Sequence, residues 1–550
     1  MKKHGFALFV LVALTLFCLV SGPRPASAGS HVDFFGVYSV LGASEGNIGN
    51  APKDKSFTDN YMAHWYDLFV TFQPTDEISI HWRVHLLNDV DRFGSSQGGL
   101  QHFSKHLYAT VKQEWGTVAV GRLDSMANNY GLANLGYFPQ SKDWGLESVG
   151  PFDDLGNIEG IEYRRDWDSG LGLLAQFARW PNYGYSRLSR SSDYDHDIYT
   201  IEPSYKWENG GAALGLIYER NAGGDGNAQG VKTHNAVDKK EAWYLNPSFM
   251  HSFGALSLHA EAKAGWGTID YYHATGAANA QKQTDTSGYG AYLDLTYNYD
   301  KGDLILAGWW LAGTSLEESA KPNGKSKSLV GIGSEFYPLI IAYNYNAWGY
   351  NRLASQGVDV NAAGLANSAF TNYVNHNRGT LLSGGDPALL IPGVSNGASG
   401  PTWQAIGRER WSSFNNGTDA NHWGLKLSGH YALTEDIDIR AVGAYLSLNH
   451  ANYKVLNKYS ISNGGDFSGL GYREQSKDLG YEIDVAVAIK LLDNLDFTST
   501  FGYMFTGDAY KSLKGYNVSE ADAFGNRKAQ AVWEDAKDSY GWYNTLTFLF

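Results

Sequence analysis

A regular alternation of apolar and polar residues is the feature that most constrains how this chain folds. In residues 78–86 the apolar positions are Ile78, Ile80, Trp82, Val84 and Leu86, separated by Ser79, His81, Arg83 and His85. Residues 199–207 and 481–490 repeat the pattern, with Glu, Asp or Lys at intervening positions. Because successive side chains of a β-strand point to opposite faces, the alternation predicts strands with one apolar and one charged face.

The N-terminal residues have the composition of a secretory signal peptide. Lys2 and Lys3 are basic, residues 6–20 are apolar except for one threonine, and Ala26-Ser27-Ala28 offers a small-x-small cleavage site. The apolar run is shorter than the roughly 20 residues that a membrane-spanning helix needs. We therefore predict that residues 1–28 are removed on export.

The mature chain, residues 29–550, is expected to form one domain. It contains no apolar run long enough for a spanning helix, which requires about 20 residues, and no proline- or serine-rich linker. The chain's single cysteine, Cys18, lies in the signal peptide. Disulfides, thiolate metal sites and a cysteine nucleophile are therefore excluded from the mature protein.

The C-terminal residues also alternate, and they end on an aromatic carboxylate. One face of the last predicted strand, counted back in steps of two from Phe550, is mostly apolar: Phe548, Leu546, Asn544, Trp542 and Tyr540. This segment resembles the closing strand that barrel-assembly machinery recognises in bacterial outer-membrane proteins. The resemblance implies that machinery as a partner and the outer membrane as the location.

Short turns and long polar segments follow one another along the chain. Predicted tight turns, rich in Gly, Asn and Asp, lie at 74–76, 115–116, 168–170, 209–211, 253–254, 300–302, 434–436 and 493–494, with a ninth at Tyr337-Pro338. Long segments include 44–59, 125–157, 221–240, 351–420 and 507–538. This arrangement is typical of a barrel with periplasmic turns and extracellular loops.

We therefore predict an all-β fold, a transmembrane antiparallel up-and-down β-barrel. Nine turns and a strand at each end give twenty strands, and eighteen if residues 328–350 hold no hairpin. A charge that faces lipid at mid-depth costs roughly 2–4 kcal/mol, so the charged faces must point inward. Barrels of this width leave an aqueous channel.

Residues 111–122, with the sequence VKQEWGTVAVGR, resemble a segment of the general porins of Gram-negative bacteria. In that family a strand, a tight glycine turn and a second strand ending in Gly-Arg precede a loop that constricts the pore. Residues 128–154 follow here at the corresponding place. The resemblance implies passive diffusion of small hydrophilic solutes and ions through a homotrimer. Typical members have sixteen strands, and the larger number predicted here departs from them.

The resemblance and the strand alternation together predict the residues that line the pore. The wall residues are Arg83, Arg122, Glu162, Arg164, Asp438 and Arg440, and the constricting loop supplies Asp143, Glu147, Asp153 and Asp154. Opposing charges would create a field across the opening. Alternation from Val118 and Val120 aims Arg122 at lipid, so we expect a β-bulge at Gly121 to turn it inward.

Sixteen ionisable side chains are predicted to face the lumen, eight acidic and eight basic, which indicates a balanced wall. They are Asp67, Arg83, Lys112, Glu162, Arg164, Glu202, Lys206, Glu261, Lys263, Asp294, Lys426, Asp438, Arg440, Glu482, Asp484 and Lys490. The mature chain has 40 basic and 57 acidic residues, a net charge of −17. The surplus therefore lies mainly in loops, where it suits solubility or divalent-cation bridging to lipopolysaccharide. It disfavours nucleic acid as a partner.

No catalytic or cofactor site is predicted. His81 and His85 are about 13 Å apart along a strand, too far to share a metal ion with bonds of about 2 Å. Ser257 and His259 share a face, but the sequence indicates no third group to orient the histidine, and no nucleophile-elbow motif is present. We expect a protein that is not an enzyme and needs no metal or cofactor.

Three functions fit this fold. The first is a passive porin for small hydrophilic solutes. The second is a dedicated saccharide or polymer channel, for which Tyr61, Trp65 and Phe69 would offer stacking surfaces along one inner face. The third is a structural barrel that sheathes a partner protein.

The signal peptide generates the first testable prediction. Mature protein isolated from the outer-membrane fraction should begin at Gly29, because a signal peptidase would cut after Ala28. N-terminal sequencing and intact-mass analysis measure this directly. Retention of residues 1–28 in the mature protein would refute the assignment.

Overall fold

Eighteen antiparallel strands close into a barrel in the computed structural model of this chain. The structure describes residues 31–46, 58–88, 101–123, 158–180, 196–221, 237–271, 283–313, 327, 339, 422–450, 454–461, 471–474, 476–508, 512–518, 527–534 and 537–550. The predicted signal peptide and most of the long segments, including 125–157 and 351–420, lie outside these ranges. Among the described residues, no helix is long and apolar enough to span a bilayer.

The strands follow one another around the barrel in chain order. The first nine are β1 (His31–Gly46), β2 (Thr58–Thr75), β3 (Ile78–Asn88), β4 (Gln101–Gln113), β5 (Gly116–Leu123), β6 (Ile158–Asp166), β7 (Leu171–Trp180), β8 (His196–Trp207) and β9 (Gly210–Asn221). The next six are β10 (Val237–Phe253), β11 (Leu256–Tyr271), β12 (Gln283–Tyr299), β13 (Gly302–Leu311), β14 (His422–Ala432) and β15 (Ile437–Leu448). The last three are β18 (Asp478–Leu492), β19 (Leu495–Thr506) and β22 (Ser539–Leu549), which pairs with β1.

A second, smaller sheet is formed within two of the long connections. It contains β16 (Lys454–Ile461), β17 (Gly471–Glu474), β20 (Ser512–Val518) and β21 (Arg527–Glu534), in the order β17-β16-β21-β20. The first two of these strands lie between β15 and β18, and the other two lie between β19 and β22. The sheet therefore joins the two connections by strand pairing.

The barrel has eighteen strands, the lower of the two numbers that the sequence predicts. Eight of the nine predicted turns connect neighbouring barrel strands. The ninth, Tyr337-Pro338, lies outside the described residues. β13 pairs directly with β14 over ten residue pairs, from Gly302↔Tyr431 to Leu311↔His422, so no additional strand enters the barrel between them.

Apolar side chains cover the outer surface of the barrel. Exposed residues on one face of successive strands include Ile80, Trp82, Ile201, Leu216, Leu293, Leu306, Leu427, Ile483 and Phe501. Aromatic pairs lie at both ends, for example Trp115–Tyr163 near the turns and Tyr445–Tyr481 near the long connections. An apolar band between aromatic girdles is the surface of an outer-membrane β-barrel, and closure satisfies every strand edge inside the membrane.

The C-terminal residue completes the closure between β22 and β1. Phe550 N–H donates to the Gly36 carbonyl at 3.1 Å, and Gly36 N–H donates to the Phe550 carbonyl at 2.9 Å. The Phe550 ring lies against Gly36 and stacks on Tyr66, with 5.7 Å between ring centroids. A Cβ atom at position 36 would collide with the ring, so the missing side chain of Gly36 makes room for the terminal aromatic group.

This seam generates a prediction with a matched control. Gly36→Leu should displace the Phe550 ring and lower the yield of folded, heat-modifiable barrel, because the new side chain occupies the space of the ring. Gly42→Leu places the same side chain on the same strand, where a Cβ has nothing within 4 Å, and should assemble normally. Gel mobility of unheated samples measures both. Equal yields from the two variants would contradict this account.

Candidate pore wall

The inner face of the barrel carries the charged residues that alternation predicts. Strand pairing places five of the proposed pore residues, Arg83, Glu162, Arg164, Asp438 and Arg440, on the face opposite the exposed apolar band. Asp143, Glu147, Asp153 and Asp154 lie outside the described residues, as does the loop that would carry them. Their role in a constriction stays a prediction.

The expected bulge at Gly121 does not occur, and Arg122 lies on the outer face. β5 pairs with β4 and β6 without a register shift, so Arg122 is opposite Leu107 and Glu159. Leu107 and Val120 are exposed on the lipid-facing side. Gly121 does adopt φ +135, but the pairing continues through it, and Arg122 keeps the outward direction that alternation gives it.

One ion pair with good geometry lies on the inner face of β2 and β3. Arg83 Nε donates to Asp67 Oδ1 at 2.9 Å, and Nη2 donates to Oδ2 at 3.2 Å. The guanidinium also lies over the Phe69 ring, 5.1 Å from its centroid. Because Asp67 is buried, its charge needs this kind of two-point pairing to be tolerated.

A second polar group lies on β6 and β7. Arg164 donates to Glu162 Oε1 at 3.2 Å, and Gln176 Nε2 donates to Glu162 Oε2 at 3.1 Å. The Arg164 side chain keeps 42% of its surface exposed. It therefore remains a charge that can act on solutes in the lumen.

Among the described residues, carboxylates predominate in the deeply buried part of the inner wall. Its charged residues below 5% exposure are the carboxylates Asp67, Glu202, Glu219, Glu261, Asp294, Glu482 and Asp484 and the two lysines Lys263 and Lys426. The predicted balance of eight acidic and eight basic residues covers all the assigned inward positions, whatever their burial. The arginines of the same face, Arg83, Arg164 and Arg440, are only partly buried.

Neutral and aromatic side chains supply part of the hydrogen bonding that these carboxylates need. The Tyr244 hydroxyl donates to Glu219 Oε2 at 2.8 Å, and Asn246 Nδ2 donates to Glu261 Oε1 at 3.1 Å. Lys263 Nζ lies over the Tyr244 ring, 5.4 Å from its centroid. Buried charges require such partners, and the network therefore holds the wall of β9–β11 in one arrangement.

Sequence reasoning missed Glu219, Tyr244 and Asn246 as wall residues. Each occupies an inward position of its strand, so parity could have found them. Uncharged Tyr and Asn at inward positions are the sequence signal that accompanies buried carboxylates.

The structure supplies a third group beside His259, which the sequence did not indicate. His259 Nδ1 lies 3.0 Å from Asp294 Oδ1. Ser257 Oγ, however, pairs with Ser252 Oγ at 2.9 Å, and no hydrogen bond joins Ser257 to His259 among the described residues. His81 Nε2 is 3.0 Å from Ser79 Oγ. Within the described ranges, no group of three His, Cys, Asp or Glu residues is arranged to hold a metal ion.

No protein-family model matches the sequence, and no curated protein matches it. Solved structures similar to the chain include OccK2 (OpdF) of Pseudomonas aeruginosa, 8% identical over 95% of this chain and 99% of that chain, with a TM-score of 0.44. The same protein in complex with glucuronate has a TM-score of 0.43, at 8% identity and the same coverage. A loop L8 deletion mutant of OmpT, an outer-membrane protein of Vibrio cholerae, is 8% identical over 95% of this chain and 100% of that chain, with a TM-score of 0.36.

The Asp67–Arg83 pair generates a stability prediction. Arg83→Gln should lower the free energy of unfolding by about 1–3 kcal/mol, because a buried carboxylate loses two charge-assisted hydrogen bonds. Denaturant titration of the purified barrel in detergent measures the change. Adding Asp67→Asn to that variant should restore part of the loss. Strictly additive effects of the two substitutions would show that the pair contributes no coupling energy.

Proposed function

We propose that this protein is an outer-membrane channel for small hydrophilic solutes and ions. The observation that carries the proposal is a closed barrel of eighteen strands with an apolar outer surface and charged residues along its inner face. A barrel of that strand number is too wide for its own wall side chains to fill. A polar interior inside an apolar shell has its main use in passing polar solutes through the membrane.

The charge of the wall supports a preference for cations. Carboxylates outnumber lysines among the deeply buried wall residues, and fixed negative charges lower the energy of a cation in the lumen. Exposed arginines such as Arg164 act in the opposite direction. We propose that the balance between the two sets the selectivity, and that diffusion through the pore is passive.

Conductance in planar bilayers tests the proposal. Purified mature protein should produce stepwise increases in conductance, with cations more permeant than anions. Arg164→Gln should raise the cation preference by up to about fivefold, since one charge contributes about 1 kcal/mol at close range in water. The effect should be larger at low salt, where the Debye length is longer.

The adjacent residue provides the control. Arg165 lies on the outer face, opposite Leu173, with its guanidinium 5.1 Å from the centroid of the Trp167 ring. Arg165→Gln removes the same charge from the same strand and should leave selectivity unchanged. Folded protein that never conducts would overturn the channel proposal, and equal shifts from both variants would overturn the role of Arg164.

A further inference from the structure

Six charged residues of alternating sign form a continuous row across six neighbouring strands. Strand pairing sets each one directly opposite the next. In order from β5 to β10 they are Arg122, Glu159, Arg179, Asp197, Arg220 and Glu241. We call this row the charge ladder.

Ion pairs within the ladder confirm that its members meet in space. Arg179 Nε lies 2.7 Å from Asp197 Oδ1, and Arg220 Nε lies 3.9 Å from Glu241 Oε1. Lys239 adds a further cation, with Nζ 2.7 Å from the same Glu241 oxygen. Arg179, Glu241 and Lys239 keep 45%, 36% and 39% of their side-chain surface exposed, so the ladder also presents charge to its surroundings.

The ladder lies on the outer face of the barrel, at the end from which the long connections leave. The next outward row toward the membrane centre is apolar and largely aromatic, and its members also pair in register: Val120, Ile161, Phe177, Tyr199, Tyr218 and Trp243. Ring centroids in this row are 5.1 Å apart for Phe177–Tyr199 and 4.7 Å apart for Tyr218–Trp243. Aromatic girdles mark the membrane interface, which places the ladder at the level of the lipid headgroups.

The ladder is confined to one end and one side of the barrel. At the turn end, the outward residues Leu171, Tyr205, Phe253 and Leu256 are uncharged, and Arg165 on β6 lies opposite Leu173 instead of a carboxylate. At the long-connection end of β14, β15 and β18, the outward positions carry Trp423, Tyr445 and Tyr481. Cross-strand ion pairs stabilise sheets in general, but this does not explain why the ladder lies at one end and on one side of the barrel. A ligand that is present in only one leaflet of the membrane explains that position.

We propose that the charge ladder binds the phosphorylated headgroup of lipopolysaccharide in the outer leaflet. Arginines are the residues best suited to bind phosphate, because the guanidinium donates two parallel hydrogen bonds. Carboxylates are ligands for the divalent cations that bridge neighbouring phosphates. Strands are about 4.8 Å apart, so like charges recur about every 10 Å along the row. A headgroup layer that alternates phosphate and divalent cation matches both signs of the ladder.

The inference goes beyond the channel proposal and does not depend on conduction. The test uses purified, folded mature protein and three probes: rough-type lipopolysaccharide, phosphatidylglycerol vesicles and phosphatidylethanolamine vesicles. Wild-type protein should bind lipopolysaccharide most tightly, and chelation of divalent cations should weaken that binding. The double variant Arg179→Gln, Arg220→Gln should bind about tenfold more weakly, the loss expected for one or two charge-assisted contacts.

Arg165→Gln is the matched control, because Arg165 is an outward arginine at the turn end of a ladder strand. It should bind lipopolysaccharide as the wild type does. If the double variant fails to fold, Arg220→Gln with Lys239→Gln keeps the Arg179–Asp197 pair and tests the same surface. Unchanged lipopolysaccharide binding in folded ladder variants would overturn the proposal. So would equal wild-type affinity for phosphatidylglycerol vesicles, which would show a surface without preference for this lipid.

Discussion

The satisfaction of backbone hydrogen bonds inside the membrane is the constraint on which the rest of this structure depends. A strand edge in hydrocarbon costs several kcal/mol for each unpaired group, so the sheet must close. Here the closure is made between β22 and β1 and extends to the last residue, where Phe550 and Gly36 exchange two backbone hydrogen bonds. Once the sheet is closed, each strand has one face toward lipid and one toward the interior.

The two faces then meet their electrostatic requirements in different ways. On the inner wall, carboxylates are buried beside tyrosine and asparagine, so that neutral side chains supply part of the hydrogen bonding. On the outer face, six charges of alternating sign pair in register in one row at the long-connection end. Burial restricts the side-chain conformations of the inner network, whereas the side chains of the outer row stay partly exposed.

Two adjacent residues, Arg164 and Arg165, lie on opposite faces of the barrel wall. Arg164 bonds to Glu162 inside the barrel, and Arg165 lies over the Trp167 ring outside it. A shift of one residue in register would exchange them, and would bring Glu162 into the lipid. Register, more than composition, therefore decides which charges act on solutes and which act on the membrane.

The sequence by itself determined the fold class, the direction of most side chains and eight of the turns. Period-two alternation is a local property of each strand, and Gly, Asn and Asp report turns locally as well. Arg83, Glu162, Arg164, Asp438 and Arg440 could be assigned inward for this reason. The prediction that Arg122 turns inward failed because it replaced the local rule with a bulge that the structure does not contain.

Only the tertiary structure decided the number of strands, the closure at Gly36, the acidity of the buried wall and the existence of the charge ladder. Each depends on which residues lie opposite one another on neighbouring strands. Glu159 and Arg179 are separated by a turn, and Asp197 and Arg220 by another, but Arg122 meets Glu159 only across a long connection. Alternation specifies the face of a residue, but not its height relative to the next strand. Pairing register alone brings six charges from six strands into one row.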